Sequence, residues 1–152
     1  MKINKAELEI REAGKRELYS ITILTRKFFE YTKFNMEKIM KRMKNPKIHY
    51  LVALYDKHTI GYIDFTENEK SIRVMGLAVL EEFQGNGIGK ALLKEAIRFA
   101  RKVKKENVHL LVSADNMKAL NMYGKLGFKS AGKLNRKLYG KTIYLLRKKL
   151  RK

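Results

Sequence analysis

Between residues 6 and 12, Leu8 and Ile10 stand among charges, and this alternation predicts a first β-strand. From 17 to 31 the apolar residues Leu18, Ile21, Leu24 and Phe28 recur at helical spacing. Asn35 is placed to cap a second, short helix carrying Met36, Ile39, Met40 and Met43, which Pro46 ends. Strands are predicted over 49–55, 60–66 and 71–79, joined by the polar turns Asp56-Lys57-His58-Thr59 and Glu67-Asn68-Glu69-Lys70, and together they read as an antiparallel meander. Beyond a glycine-rich stretch, Ile88, Ala91, Leu92, Ala96, Ile97, Ala100 and Val103 mark one face of a long helix. Its C-terminal end gathers Arg101, Lys102, Lys104 and Lys105, as the helix dipole favours. Residues 108–113 read as a buried strand, 117–126 as a short helix stopped by Gly127, and 128–134 with 142–150 as a closing hairpin.

At 152 residues, with one proline and no repeat, the chain is expected to form a single domain over 1–152. A 45% hydrophobic share supplies a packed core, so disorder and fibrous architectures are excluded. Without cysteine there is no disulfide, thiolate nucleophile or cysteine-bound zinc, and His49, His58 and His109 lack paired-ligand spacing, so no metal is expected. The longest apolar run, 74–80, is far short of the roughly 20 residues of a membrane helix, and a soluble, cytoplasmic protein without membrane association is expected. Charge adds a further feature: 35 Lys and Arg against 15 acids give +20, and after Asp115 there are 12 basic residues and no acid. Such a field favours polyanions, including ribonucleoprotein, unless the lysines reflect composition alone.

Gln84-Gly85-Asn86-Gly87-Ile88-Gly89 directly precedes the long helix, whose first-turn amides are available to an anion backed by the helix dipole. The spacing is wrong for two common phosphate loops. A Walker loop needs glycine where Gln84 stands and Ser or Thr where Ala91 stands, and the dinucleotide pattern from Gly85 needs glycine where Lys90 stands. The register Gln84-x-x-Gly87-x-Gly89, between a strand and a helix, resembles the Gcn5-related N-acetyltransferase (GNAT) family signature: Arg or Gln, two residues, Gly, one residue, Gly or Ala. Asn116, Ala119, Leu120, Tyr123, Leu126, Gly127 and Phe128 resemble the family's downstream segment ending in Gly-Phe. Glu81 departs from it, standing where the family often has proline.

The resemblance implies a fold of the α/β (α+β) class, a mixed and largely antiparallel central sheet with a splayed parallel strand pair and flanking helices. It implies acetyl-CoA as cofactor, with its pantetheine arm paired to the main chain near Leu77 and Val79. Gln84 and the amides of Gly85, Asn86, Gly87, Ile88, Gly89 and Lys90 would hold the pyrophosphate, and Asn116 would reach the arm or cap its helix. Tyr123 falls where the family has the tyrosine that donates a proton to the departing CoA sulfur. A glutamate that serves some members as base is replaced by Arg73, which counting across the turn sets opposite Asp64 as an ion pair. Proton loss from the amine would then run through water, with Glu81, Glu82 and His109 as other relays.

The expected reaction is direct attack of a primary amine on acetyl-CoA. The acceptor is a small molecule, peptide or protein, bound between the first two helices and the terminal hairpin against Phe28, Phe29, Tyr31 and Phe34, unless these aromatics are core. Net charge disfavours free polyamines and favours a protein or peptide amine. A homodimer fits the same picture. A nucleic-acid-associated module and a catalytically silent CoA-binding regulator of the same fold are the alternatives, and Tyr123 argues against silence.

Overall fold

The computed structural model describes residues 2–150. Its strands are β1 (Leu8–Glu12), β2 (Ile48–Tyr55), β3 (His58–Glu67), β4 (Ser71–Val79), β5 (Asn107–Ser113), β6 (Lys129–Lys133) and β7 (Ile143–Lys149). Its helices are α1 (Leu18–Phe28), α2 (Met36–Lys44), α3 (Ile88–Lys102) and α4 (Met117–Lys125). The strands form a seven-stranded sheet in the order β1-β2-β3-β4-β5-β7-β6. β1–β2, β2–β3, β5–β7 and β6–β7 pair antiparallel and β4–β5 parallel, so the expected mixed, largely antiparallel class is what forms.

Two compact units share β4 and α3: one runs to Thr66 and includes Gly76–Ala96, the other holds Glu67–Met75 and the chain from Ile97 onward. In the first, Ile21 and Leu24 of α1 and Ile39 of α2 pack with Tyr50, Val52 and Leu54 of β2, Tyr62 of β3 and Ala78 of β4. β3 is buried continuously from Ile60 to Phe65, as befits a strand covered on both faces. In the second, β5 alternates: Val108, Leu110 and Val112 are buried while the residues between them are half-exposed. β6 ends the sheet; all five of its residues are exposed, it begins and ends on lysine, and its register with β7 shifts between Ser130 and Gly132.

Local chemistry moves several predicted boundaries. β1 starts later than the alternation implies, because Asn4 Oδ1 accepts from the Ala6 amide and caps a short 3-10 turn. α1 stops at Phe28 rather than Tyr31: Phe29 leaves helical geometry, Thr32 Oγ1 donates to the Phe29 carbonyl at 2.7 Å, and Lys33 takes a left-handed φ of 59°. The Asp56–Thr59 turn contracts to Asp56-Lys57, whose φ values of 48° and 66° match the left-handed two-residue turn that fits strand twist. Val103, assigned to the buried face of α3, lies past the helix end and is 40% exposed, while Leu93 is fully buried. The predicted Asn35 cap forms, its Oδ1 accepting from the Lys38 amide at 2.9 Å.

Candidate active site

The glycine loop is built as an open cradle. Gly87 precedes α3, its carbonyl accepting the first helical bond from Ala91 N at 2.9 Å, so the amides of Ile88, Gly89 and Lys90 belong to the turn that has no intrahelical acceptor. Gly85 and Gly87 have φ of 86° and 78°, and a Cβ on either would meet nothing within 4 Å. Glycine is therefore required there for backbone conformation and leaves clear space above the amides, which suits a pyrophosphate. Side chains hold the loop from behind: Gln84 Nε2 donates to the Val79 carbonyl at 2.9 Å, and Asn86 donates to the Phe83 carbonyl at 2.9 Å and accepts from Ile3 N at 3.3 Å. These side chains brace the turn, and the backbone amide of Asn86, the group expected at the pyrophosphate, is not the atom engaged in either of its two bonds.

β4 leads into this loop. Its parallel register with β5 runs from Ser71↔Asn107 to Val74↔Leu110, covering only the start of a strand that continues through Leu77 and Val79. Gly76, just before Leu77, is needed for close approach: a Cβ there would lie 2.7 Å from Asp64 Oδ1 and 3.3 Å from the Phe29 ring.

That contact opens onto a buried polar network absent from the sequence reading. Asp64, 4% exposed, accepts from Arg42 Nη2 at 2.6 Å, while Arg42 Nε donates to Tyr50 Oη at 2.9 Å. Tyr62 Oη and Thr25 Oγ1 lie 2.8 Å apart, and the Arg42 guanidinium sits over the Phe34 ring at 5.1 Å. Burial pushes the Asp64 carboxyl up to about 6 against the opposing pull of Arg42 and the Gly76 amide. Burial likewise raises Tyr50 to about 12 and Tyr62 further. Arg42 is held above its ordinary range by Tyr50 and Asp64, burial opposing. Both groups are thus raised: the pair favours the charged form of Arg42, whereas burial outweighs the pair at Asp64, the more enclosed partner with side-chain exposure of 6% against 12%. The predicted Asp64–Arg73 pair does not form. The hairpin closes with Asn68 N donating to Ser71 O, which shifts the register from the one counted, and Asp64 turns toward α2. An aspartate inside the apolar run 60–65 was the signal available in the sequence.

Of the four aromatics assigned to an acceptor, Phe28, Phe29 and Phe34 are half-buried against the first unit's core. Tyr31 is 53% exposed and meets Phe29 edge-on, 6.4 Å between centroids.

In the second unit Asn116 caps α4, its Oδ1 accepting from Ala119 N at 3.2 Å. Tyr123 lies on the buried side of α4, its ring against Phe128 at 5.7 Å, and burial pushes its hydroxyl up to about 12. The phenol therefore stays protonated through the whole range in which an amine loses its proton. His109 is lowered, first by burial and then by Arg73 and Arg147. Glu81 is exposed and lies 3.4 Å from Lys27. No group of three or more His, Cys, Asp or Glu able to hold a metal occurs among the described residues.

Comparison with known proteins bears on this arrangement. The profile described as the acetyltransferase (GNAT) family matches residues 13–128. An N-alpha-acetyltransferase of Sulfurisphaera tokodaii is 33% identical over 122 residues, covering 70% of this chain and 72% of the relative. The N-alpha-acetyltransferase RimI of Mycobacterium tuberculosis is 31% identical over 115 residues, covering 71% and 70%. Among solved structures, Ard1 from Thermoplasma volcanium superposes with TM-score 0.84 at 22% identity over 96% of this chain and 99% of that one. PaiA N-acetyltransferase from Thermoplasma acidophilum, in complex with coenzyme A, does so with TM-score 0.79 at 24% identity over 93% and 98%.

Proposed function

Because the chain belongs to the GNAT family of acetyltransferases, it moves an acetyl group from acetyl-CoA to an amine, and we propose that this amine is the terminal α-amino group of a protein or peptide. The observation that carries the acceptor class is the pair of N-alpha-acetyltransferase relatives at 33% and 31% identity. The test offers purified protein acetyl-CoA with free polyamines, peptides with a free N-terminus, and N-terminally blocked peptides retaining lysine. CoA release with the acetyl group located by mass spectrometry on the α-amine is expected. Acetylation confined to lysine side chains or polyamines would overturn the proposal.

Bound acetyl-CoA supplies a thioester carbon open to attack by a neutral amine. In our proposal the amides from Gly85 to Lys90 bind the pyrophosphate, the main chain at Leu77 and Val79 pairs with the pantetheine, and Asn116 offers its Nδ2 while capping α4. The α3 cradle supports the first assignment, since the left-handed glycines leave it open. Replacing Gly87 by Val should weaken acetyl-CoA binding about tenfold or more by calorimetry. The new Cβ meets open space, so the chain should still fold, but a β-branched residue resists the required φ at a cost of about 1–2 kcal/mol and displaces the amides, lowering the melting temperature by only a few degrees. Unchanged affinity would remove the loop from the binding site.

Tyr123 holds a donatable proton at Oη and is proposed as the group facing the leaving sulfur. With a phenol near 12 against about 8.5 for an ordinary thiol, it serves as a hydrogen-bond donor that stabilises negative charge rather than surrendering its proton completely. Arg73 stands where the family's glutamate would be, so the amine is proposed to shed its proton to water. The rate should then rise with pH as a terminal amine of pKa about 7.7–8.0 becomes neutral, and level off, with Tyr123 still protonated. A kcat/KM profile that falls between pH 8 and 10 would contradict this.

No helix of the described residues is long and apolar enough to cross a membrane. Cytoplasmic residence is part of the proposal, as is association of the basic last quarter with polyanions, which rests on its charge; two of the 12 cations, Arg151 and Lys152, lie outside the described residues.

A further inference from the structure

The second unit arranges part of that charge in rows across the sheet. Arg73 on β4 is the partner of His109 on β5, His109 is the partner of Arg147 on β7, and Arg147 is the partner of Lys129 on β6. Residues directly opposite in a ladder project from the same face, so these four side chains form one cross-strand row. The next row on that face is Ser71, Asn107 and Lys149. This is the less covered face: Val108, Leu110, Val112 and Leu146 of the opposite face are buried, whereas His109 and Leu111 are half-exposed and Lys129, Arg147 and Lys149 are exposed.

Nothing on these strands neutralises the row. Residues 71–75, 107–113, 129–133 and 143–149 contain no aspartate or glutamate. Of the unit's acids, Glu67 is held by Lys105 at 3.5 Å and Asp115 by Lys141 at 3.6 Å, while Glu69 and Glu106 lie outside the four strand segments. The imidazole of His109 is held down first by burial and then by the charges of Arg73 and Arg147 on either side. A concavity of about 460 Å³ opens on the same strands, lined by Gly127, Lys129, Ser130, Ala131, Arg147 and Lys149. Like charges set opposite one another across strands are unfavourable by themselves, so an anion laid along the row would relieve a cost built into the fold.

We propose that this face of β4, β5, β7 and β6 binds the phosphodiester backbone of a single-stranded nucleic acid. The proposal gives the polyanion association inferred from charge a location and a ligand, and it is independent of the acceptor amine. Four strands about 4.8 Å apart spread the row over about 14 Å, a length along which a nucleic-acid strand rising about 3.4 Å per nucleotide presents about four phosphates. Asn107, half-exposed beside Lys149 in the second row, adds an amide of the kind that bonds phosphate and sugar. Half-exposed Leu111, Leu145 and the His109 ring offer surface on which a base can rest. An acidic polypeptide would match the sign of charge but not these contacts.

The test is fluorescence anisotropy of labelled 12-nucleotide RNA and DNA with the full chain across a salt series, with poly-glutamate as competitor. RNA, DNA or both should bind at low salt, the two arms identifying the source. The double variant Lys129→Gln/Arg147→Gln should lose about tenfold or more in affinity and flatten the salt slope by about 1.4, two contacts at about 0.7 each for single strands. The control Lys5→Gln/Lys38→Gln removes the same charge from exposed positions of the first unit and should change binding far less. Circular dichroism and acetyl-CoA affinity should match wild type in both variants, separating a failed surface from a failed fold. Equal losses in the two variants, displacement by poly-glutamate as effective as by unlabelled oligonucleotide, or no binding at low salt would each overturn the proposal.

Discussion

Tyr123→Phe is expected to lower turnover about 10²–10³-fold while leaving acetyl-CoA affinity within about twofold. The ring packs against Phe128 and carries most of the buried area, so the variant keeps the fold; only the hydroxyl is lost. A donor that matters chiefly as charge develops on the leaving sulfur affects kcat and kcat/KM together and ground-state binding little. Because burial holds the phenol near 12, the defect should be the same from pH 7 to pH 9. Pre-steady-state and calorimetric measurements on the pair would check this. Full turnover in the variant with chemistry rate-limiting would reduce Tyr123 to a packing residue.

Arg42→Met should be the most destabilising of the changes considered. It removes the cation from a nearly enclosed carboxylate, a loss of about 3–5 kcal/mol, or about 10 °C in melting temperature for a chain of this size. The pH dependence identifies the cause. Asp64 already titrates near 6 in the folded protein against an ordinary 3.8, so its contribution to stability is fully present below the ordinary value and is lost as pH rises through the folded one. Without Arg42 the folded value moves higher still, and the deficit relative to wild type should be smaller at pH 5 than at pH 8. Asp64→Asn in the same chain should recover much of it. Melting curves of the three proteins at both pH values decide the matter; a deficit independent of pH would mean that packing over Phe34 and Tyr50, not charge, is what Arg42 provides.

The glycine loop could be read from sequence because its chemistry is backbone chemistry: the left-handed φ values at Gly85 and Gly87 are demands that residue type alone reveals. Element order was equally accessible, since period-two and period-3.6 patterns are local. Asp64 shows where locality ends. Its position inside an apolar strand marked it as buried, yet its partner sits on α2, and only the closed hairpin and the packed helix decide between Arg42 and Arg73. Gln84 makes a similar point: its place in the signature was evident, but not that its amide would be spent on the Val79 carbonyl. At Val103 the apolar period ran past the helix, because the αL residue Lys104 and the Lys105 N to Ala100 O bond end it sooner. The cationic row of the second unit depends on register between four strands, which composition cannot supply.

β6 leaves one margin of the sheet open, and an open margin is a template on which a second chain can add a strand. Lys129 and Lys133 at its two ends, with the bulge between them, oppose this by placing ammonium groups against those of any copy that approaches. That defence is electrostatic and therefore conditional: at about 1 M salt the screening length shrinks to about 3 Å and the repulsion fades. The chain should accordingly tolerate crowding best in dilute buffer and self-associate as ionic strength climbs, the reverse of the usual advice for keeping a basic protein dispersed.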